Sequence, residues 1–473
     1  MKTVAIIGGG FSGTMTAVNL SRLSEHPLKV MLINGRRPIA RGTAYGTKRS
    51  EHLLNVVARN MSALPDRPTH FVDWLGSRFE YSDKAPEELR EMFAPRRIYG
   101  DYLNGLLASV LNPVDTRCRV VVETFEDVAT DVERSDEARF NISLESGECL
   151  HADQIVLATG NQPPGAFKSR GPLKFDPRYR SDPWDEWLSR LPPPGGTVVL
   201  LGTGLTMIDI VLTLDEIGWE GNIVAVSRKG RLPKSHFRGI AYDDYIPDDA
   251  QTLGLVGLRK LVQQHCEQLR QMSQNSAIAV DKLRPHTQQL WQSLSKEEKH
   301  EFLKEDASLW NVTRHRIAGS IHNRVTDSLD TGKLKVVAGT VVELVPGEKQ
   351  IDVMLEGEGG VASTESGDLV INCTGPQLNF SGTDSSLFAN LLKRRLVAPD
   401  EMDMGVCVDE NFAIQSDEIA KDSMYAIGPI LRGSLWETTA VPELRIQAMR
   451  VAESILEREI SPVSDQSVIE YYI

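Results

Sequence analysis

The chain has 473 residues, enough for about two to four domains with full cores. Its 52 Lys and Arg against 65 Asp and Glu leave a net charge of −13, which excludes a global basic footprint for nucleic acid. Hydrophobic residues make up 41% and charged residues 25%, the balance of a globular chain rather than a disordered one.

No apolar run reaches the roughly 18 residues of a membrane span, so no membrane partner is expected. Met1 to Thr3 run straight into the apolar Val4 to Ile7, and glycines interrupt that run at once. This reads as a buried strand, not a signal peptide, and the expected location is the cytoplasm. Cys118, Cys149, Cys266, Cys373 and Cys407 lie far apart with no C-x-x-C pair. Reduced structural thiols are expected, with neither a zinc site nor a dithiol redox centre.

Val4 to Ile7 is followed by Gly8-Gly9-Gly10-Phe11-Ser12-Gly13, a helical stretch from Thr14 to about Ser24, and a second strand from Leu28 to Ile33. A strand, a G-x-G-x-x-G turn, a helix and a second strand within about 30 residues mark a dinucleotide-binding unit. Gly8 makes the tight turn, Gly10 lets a pyrophosphate approach the backbone, and Gly13 lets the helix pack on the strand. The helix N-terminus offers free N–H groups to phosphate. Asn34 stands where an acid usually holds the ribose hydroxyls, and an amide can still bond a hydroxyl. Arg36 and Arg37 follow it, suited to a phosphate or to stacking on adenine.

A second unit runs from a strand at Thr197 to Leu201 through Gly202-Thr203-Gly204-Leu205-Thr206-Met207, a helix to about Glu216 and a strand from Asn222 to Val226. Met207 replaces the third glycine, which loosens helix–strand contact but keeps the two glycines that serve phosphates. Ser227, Arg228 and Lys229 close the second strand where NAD-specific sites carry an acid. A hydroxyl and two cations there suit a 2′-phosphate, so NADPH is expected over NADH.

Two strands ending in Thr-Gly complete an internal repeat: Asp153 to Gly160, with Thr159 and Gly160 at its end, and Asp368 to Gly375. Alternating strand-like sequence precedes each, at Arg119 to Glu123 and Phe140 to Leu144, then at Lys335 to Leu344 and Gln350 to Leu355. From about Leu253 to Asn323 the pattern is helical, with Leu283, Leu290, Trp291 and Leu294 spaced as core. Proline-rich linkers, Gln162 to Pro172 and Pro192 to Gly196, bracket the second lobe. The expected fold is α/β, with two Rossmann-like dinucleotide-binding domains, the second inserted in the first, and a helical cap insertion. The expected boundaries are 1–170 and 376–473 for the outer domain and 171–375 for the inner one, its helical insertion at about 250–325.

Two such lobes resemble the two-dinucleotide-binding-domain flavoproteins. Within them the chain is similar to bacterial FAD/NAD(P)-binding proteins related to N-hydroxylating and other class B flavin monooxygenases. The stretches that carry the resemblance are Gly42 to Gly46, His52 to Val56, Pro95 to Leu103, Trp310 to Arg316 and Gly428 to Thr439. The resemblance implies FAD in the outer domain and NADPH in the inner one. It places His52 to Ser62 along the isoalloxazine, with Asn55 and Ser62 bonding flavin polar atoms. It also implies cofactor contacts from the stretch holding Gly428, Trp436 and Thr438. A helix from Pro442 to about Glu459 is expected to point its N-terminus at the flavin pyrimidine edge. Arg96, Arg97 and Tyr99 are expected to precede a helix from Tyr102 to Leu111. Two departures stand out: Gly428-Pro429 replaces the usual Gly-Asp pair, and the Baeyer–Villiger fingerprint F-x-G-x-x-x-H-x-x-x-W is missing.

The implied activity is an FAD-dependent, NADPH-using monooxygenase. It would act through a flavin hydroperoxide, with O₂ and a small amine or amino-acid-like molecule as partners. A flavin reductase or dehydrogenase, and a non-enzymatic flavin-binding redox sensor, stay open as alternatives. No catalytic side chain is assigned; His315, between Arg314 and Arg316, is expected to pack rather than react. Substrate identity and self-association are left open.

Overall fold

The computed structural model describes residues 1–458, apart from 114–118, 136–138, 238 and 421. Cys118 and the expected helix end at Glu459 lie outside the described residues.

Two five-stranded parallel sheets form the two lobes, and their strand orders match. In the first, Lys2–Ile7 lies between Leu28–Ile33 and Gln154–Leu157, with Val120–Phe125 and Met424–Ala426 at the edges. In the second, Thr197–Leu201 lies between Asn222–Ser227 and Leu369–Asn372, with Leu334–Ala338 and Tyr179–Arg180 at the edges. Each glycine-rich strand therefore sits beside a strand that ends in Thr-Gly, at the crevice where ligands bind such sheets. A three-stranded antiparallel sheet accompanies each lobe, formed by Ala129–Arg134, Phe140–Leu144 and Cys149–Ala152 in the first and by Thr340–Pro346, Ile351–Glu356 and Ala362–Gly367 in the second.

The strands read as apolar runs because both faces are covered. Val4, Ala5 and Ile6 are fully buried, as are Val198 to Leu201. One core joins residues before Ala158 to residues after Phe380, including Tyr425, Leu431 and Val451. Trp187, Leu200, Met207, Ile317 and Ile371 belong to a separate core in the second lobe.

The segment 254–330 is helical, as its periodicity indicates, and is led by the long helix Gly254–Gln271. It seats on the segment after Gly428. Trp291 Nε1 donates to Gly433 O at 2.7 Å, Gln288 Nε2 to Glu437 O at 2.7 Å, and Trp310 Nε1 to Glu437 Oε1 at 3.0 Å.

Two helix starts differ from expectation. The first helix begins at Phe11 rather than Thr14. Arg96, Arg97 and Tyr99 do not precede a helix; they form the first turn of Arg96–Leu111, directly after Pro95. Gly100 resembles a breaker in the sequence. It sits inside this helix because a Cβ there would stand 2.7 Å from Tyr45 O and 2.5 Å from the Arg41 guanidinium. Close approach of the 41–45 segment explains the glycine. Among the described residues, no helix is long and apolar enough to cross a membrane.

Candidate functional site: two glycine turns and the cleft between them

The two turns share one geometry. Gly8 has φ +117° and Gly202 has φ +110°, both in the region that favours glycine. A Cβ on Gly8 would stand 2.1 Å from Ala158 O, and one on Gly202 would stand 2.5 Å from Cys373 O. These glycines are required by the neighbouring Thr-Gly strand. A Cβ on Gly13 would meet Gly8 O at 1.8 Å, the tight helix–strand contact. At the matching place Met207 is fully buried in the second core instead.

Gly10 and Gly204 are different. The nearest atom to a Cβ on Gly10 is Gly42 Cα at 3.6 Å, and nothing lies within 4 Å of one on Gly204. The protein's own packing does not demand glycine there. Gly160 and Gly375, at φ +73° and +84°, also have nothing within 4 Å of a Cβ. The helices that begin at Phe11 and Leu205 have no side-chain cap, so their first N–H groups stay open. Ser12 is buried in the first turn of one; Leu205 and Thr206 are half-buried in the first turn of the other.

The remaining candidates fall into two groups. Some are free to reach a ligand. Thr159 Oγ1 is buried with no hydrogen-bond partner. Arg228 and Lys229 are exposed and form no ion pair among the described residues. Ser227 Oγ bonds Thr203 Oγ1 at 2.8 Å and accepts from Gly230 N–H at 3.2 Å, which fixes the turn that carries them. The side-chain amide of Asn55 makes no hydrogen bond among the described residues, while its carbonyl accepts from His236 Nε2 at 2.9 Å.

Others are spent on the protein itself. Asn34 donates to Arg37 O at 2.9 Å, and its Oδ1 would be 2.4 Å from a Cβ on Gly9. It shapes the turn and leaves only its oxygen for a hydroxyl. Arg36 is paired with Glu145 at the surface at 2.9 Å, and Arg37 is paired with Asp182. The fully buried Ser62 hydroxyl donates to Arg67 O at 2.6 Å and accepts from Leu64 N–H at 3.2 Å, so it is not free for a flavin atom. Thr438 is also fully buried. Its hydroxyl donates to Gly428 O at 3.0 Å and accepts from Gln447 Nε2 at 2.8 Å, while Gln447 Oε1 accepts from Gly428 N–H at 2.9 Å. This ring holds Gly428 at φ +85°, against Ser12. Trp436 stacks on Trp291 at 5.0 Å and meets Phe302 edge-on, so much of its ring is engaged with the cap.

Gly160, Pro376, Pro429 and Arg432 line one cleft, so both Thr-Gly ends and the segment after Gly428 converge. The helix Val441–Ile455 starts without a side-chain cap and carries Pro442 in its first turn.

The sequence reading missed the contacts between lobes. Arg96 pairs with Asp209 at 2.6 Å, and His52 Nε2 bonds Asp209 O at 3.1 Å and Thr213 Oγ1 at 3.0 Å. An acid inside the otherwise apolar helix Leu205–Glu216 was the available signal.

His315 is half-buried by its exposed surface. Burial pushes its pKa down to about 4; Glu437 opposes this, and Arg314 and Arg432 add to it. Unfolded, the imidazole binds its proton below about pH 6.5. The unfolded state thus holds a proton the folded state refuses between about pH 6.5 and 4, and stability falls as pH drops through that window. About 2–3 kcal/mol is expected to be lost by about pH 4.5. His315→Gln should narrow the melting-temperature difference between neutral and acid pH; an unchanged difference would refute this assignment.

Residues 5–162 match the model of the FAD-NAD(P)-binding family. No curated protein matches the chain in sequence. Among solved structures, the chain is similar to ornithine N-hydroxylase from Kutzneria sp. 744, at 15% identity and TM-score 0.64, covering 96% of this chain and 99% of that one. It is similar to the cadaverine monooxygenase of desferrioxamine biosynthesis from Erwinia amylovora, at 15% identity and TM-score 0.62, covering 98% and 96%. It is also similar to bacillithiol disulfide reductase from Bacillus cereus, at 15% identity and TM-score 0.54, covering 97% and 99%. The shared feature is the two-dinucleotide-binding-domain flavoprotein fold.

Proposed function

We propose that the protein is an FAD-dependent, NADPH-using monooxygenase that works in the cytoplasm and transfers one oxygen atom from O₂ to a nucleophilic amine-type substrate. One observation carries the reading: the duplicated turn whose second glycines, Gly10 and Gly204, are not demanded by the protein's own packing, with an ordinary 3.6 Å contact at the first and nothing within 4 Å at the second. A chain that needed only one flavin site would have no use for the second turn.

FAD is assigned to 1–170 and 376–473, where one core spans both segments, and NADPH to 171–375. The residues fit both groups. For FAD, the open N–H groups after Gly10 take the pyrophosphate, Thr159 Oγ1 has an unmet hydrogen bond to give, and Gly160 allows close approach. For NADPH, Gly204, Leu205 and Thr206 offer the same cradle, and Arg228 and Lys229 supply unpaired charge for the 2′-phosphate. Bound FAD supplies acceptance of hydride from NADPH and activation of O₂; the sum is amine, O₂, NADPH and a proton giving hydroxylamine, water and NADP⁺.

The chain's own work is placement. The Gly428–Gln447–Thr438 ring fixes the turn at the cleft, and the uncapped Val441–Ile455 N-terminus favours negative charge near it. The cap's bonds to Gly433 and Glu437 seat it on the segment that follows the cleft residues Pro429 and Arg432.

Stopped-flow reduction of the FAD-loaded protein, followed by mixing with O₂, tests the reading. NADPH should reduce the flavin faster than NADH, and an amine should be needed for a hydroxylamine product. Reoxidation that yields only hydrogen peroxide with every amine tried would support the reductase instead. Failure of both nicotinamides to reduce the flavin would support the sensor.

A further inference from the structure

The helical cap holds a cavity of about 470 Å³, within the range of small-molecule sites and apart from the glycine turns. Its walls follow the inner face of Gly254–Gln271. Leu255, Leu258, Val262 and Cys266 recur at helical spacing along it, so the cavity runs for about 16 Å at 1.5 Å per residue. An elongated apolar space calls for an elongated apolar occupant.

The two ends differ chemically. One is aromatic, walled by Trp291, Phe302, Trp310 and Trp436. The other carries Lys234 and Arg270, whose charges both act on Cys266. Two of the cavity's cations are neutralised: Arg259 by Asp306 at 2.6 Å and Arg270 by Glu267 at 2.7 Å. Lys234 is exposed and makes no side-chain hydrogen bond or ion pair among the described residues. Leu309 also lines the cavity and is 49% exposed, an apolar residue at its mouth.

We propose that this cavity binds an amphipathic anion, a medium-chain alkyl or arylalkyl carboxylate. The chain lies along Gly254–Gln271 and the carboxylate meets Lys234. The aromatic end adjoins the cleft lined by Gly160, Pro376 and Pro429: the Arg432 guanidinium, which lines that cleft, lies 5.0 Å from the centre of the Trp436 ring, which lines the cavity. An occupant thus touches the same short segment that walls the cleft. The assignment does not depend on the monooxygenase reading.

The test is calorimetry and tryptophan fluorescence on the FAD-loaded protein, with decanoate below its micelle concentration. Decanoate should bind with one-to-one stoichiometry and change the emission. Decylamine should bind at least about tenfold more weakly, and acetate should not bind. Val262→Phe, which fills the middle of the cavity, should weaken decanoate at least about tenfold; Leu258→Phe serves if that variant does not fold. Lys234→Glu should weaken decanoate and strengthen decylamine. Two arms separate the sources of such a ligand. An added oxygen atom in 12-aminododecanoate marks a substrate, and an altered NADPH oxidation rate with unmodified decanoate marks an effector. Absence of saturable decanoate binding, or affinity unchanged in the filling variant, would overturn the proposal.

Discussion

Gly10→Val should give a folded protein without yellow colour. The backbone at Gly10 has φ −79° and ψ −160°, an extended conformation outside the left-handed region that favours glycine. A Cβ there has its nearest neighbour at 3.6 Å, an ordinary contact, so folding is not opposed. The branched side chain instead fills the space in front of the first N–H groups of Phe11–Leu23, where a pyrophosphate has to stand. FAD affinity should fall at least about a hundredfold. The neighbouring glycines are poorer tests: side chains at Gly8 or Gly13 would collide with backbone oxygens at 2.1 and 1.8 Å, and cofactor loss could follow from misfolding. A folded Gly10→Val protein that keeps its full flavin absorbance would refute the assignment of the first turn.

Arg228→Ala should separate the two nicotinamides. Ser227 anchors the turn through Thr203 and Gly230, so removing the exposed Arg228 side chain leaves the backbone in place. A charge-assisted contact to a 2′-phosphate is worth about 1.5–3 kcal/mol, so NADPH should weaken roughly ten- to a hundredfold. NADH, which lacks that phosphate, should change little. Titration of the variant with each nucleotide reads the difference directly, and equal losses would show that Arg228 does not contact the 2′-phosphate. Lys229, exposed on the same turn, is the expected source of residual preference.

The turns were legible because their causes are local. A strand that must reverse tightly beside another backbone needs glycine at Gly8 and Gly202, and that need appears in the sequence as spacing. The matched strand orders followed from the repeat of glycine turn and Thr-Gly end. The start of Arg96–Leu111 was not legible, because Gly100 answers to the distant Tyr45 and Arg41 rather than to its own helix. The partners of the Ser62 and Thr438 hydroxyls were not legible for a related reason. A polar residue near a cofactor motif looks available in a sequence, but whether it is depends on what else stands within 3 Å, and both hydroxyls had partners already.

The sequence by itself determined the two dinucleotide-binding units, the helical character of the cap and the cationic close of the second unit. Periodicity and glycine placement are enough for these. Only the tertiary structure decided what each buried face meets. Trp436 stacks on Trp291 from the cap, His52 and Arg96 reach Asp209 in the other lobe, and the inner face of Gly254–Gln271 borders a cavity. Amphipathic spacing states that a helix face leaves water, but its partner is set by contacts between segments far apart in the chain. Spacing alone cannot distinguish a face packed solid from one that lines a space for a ligand.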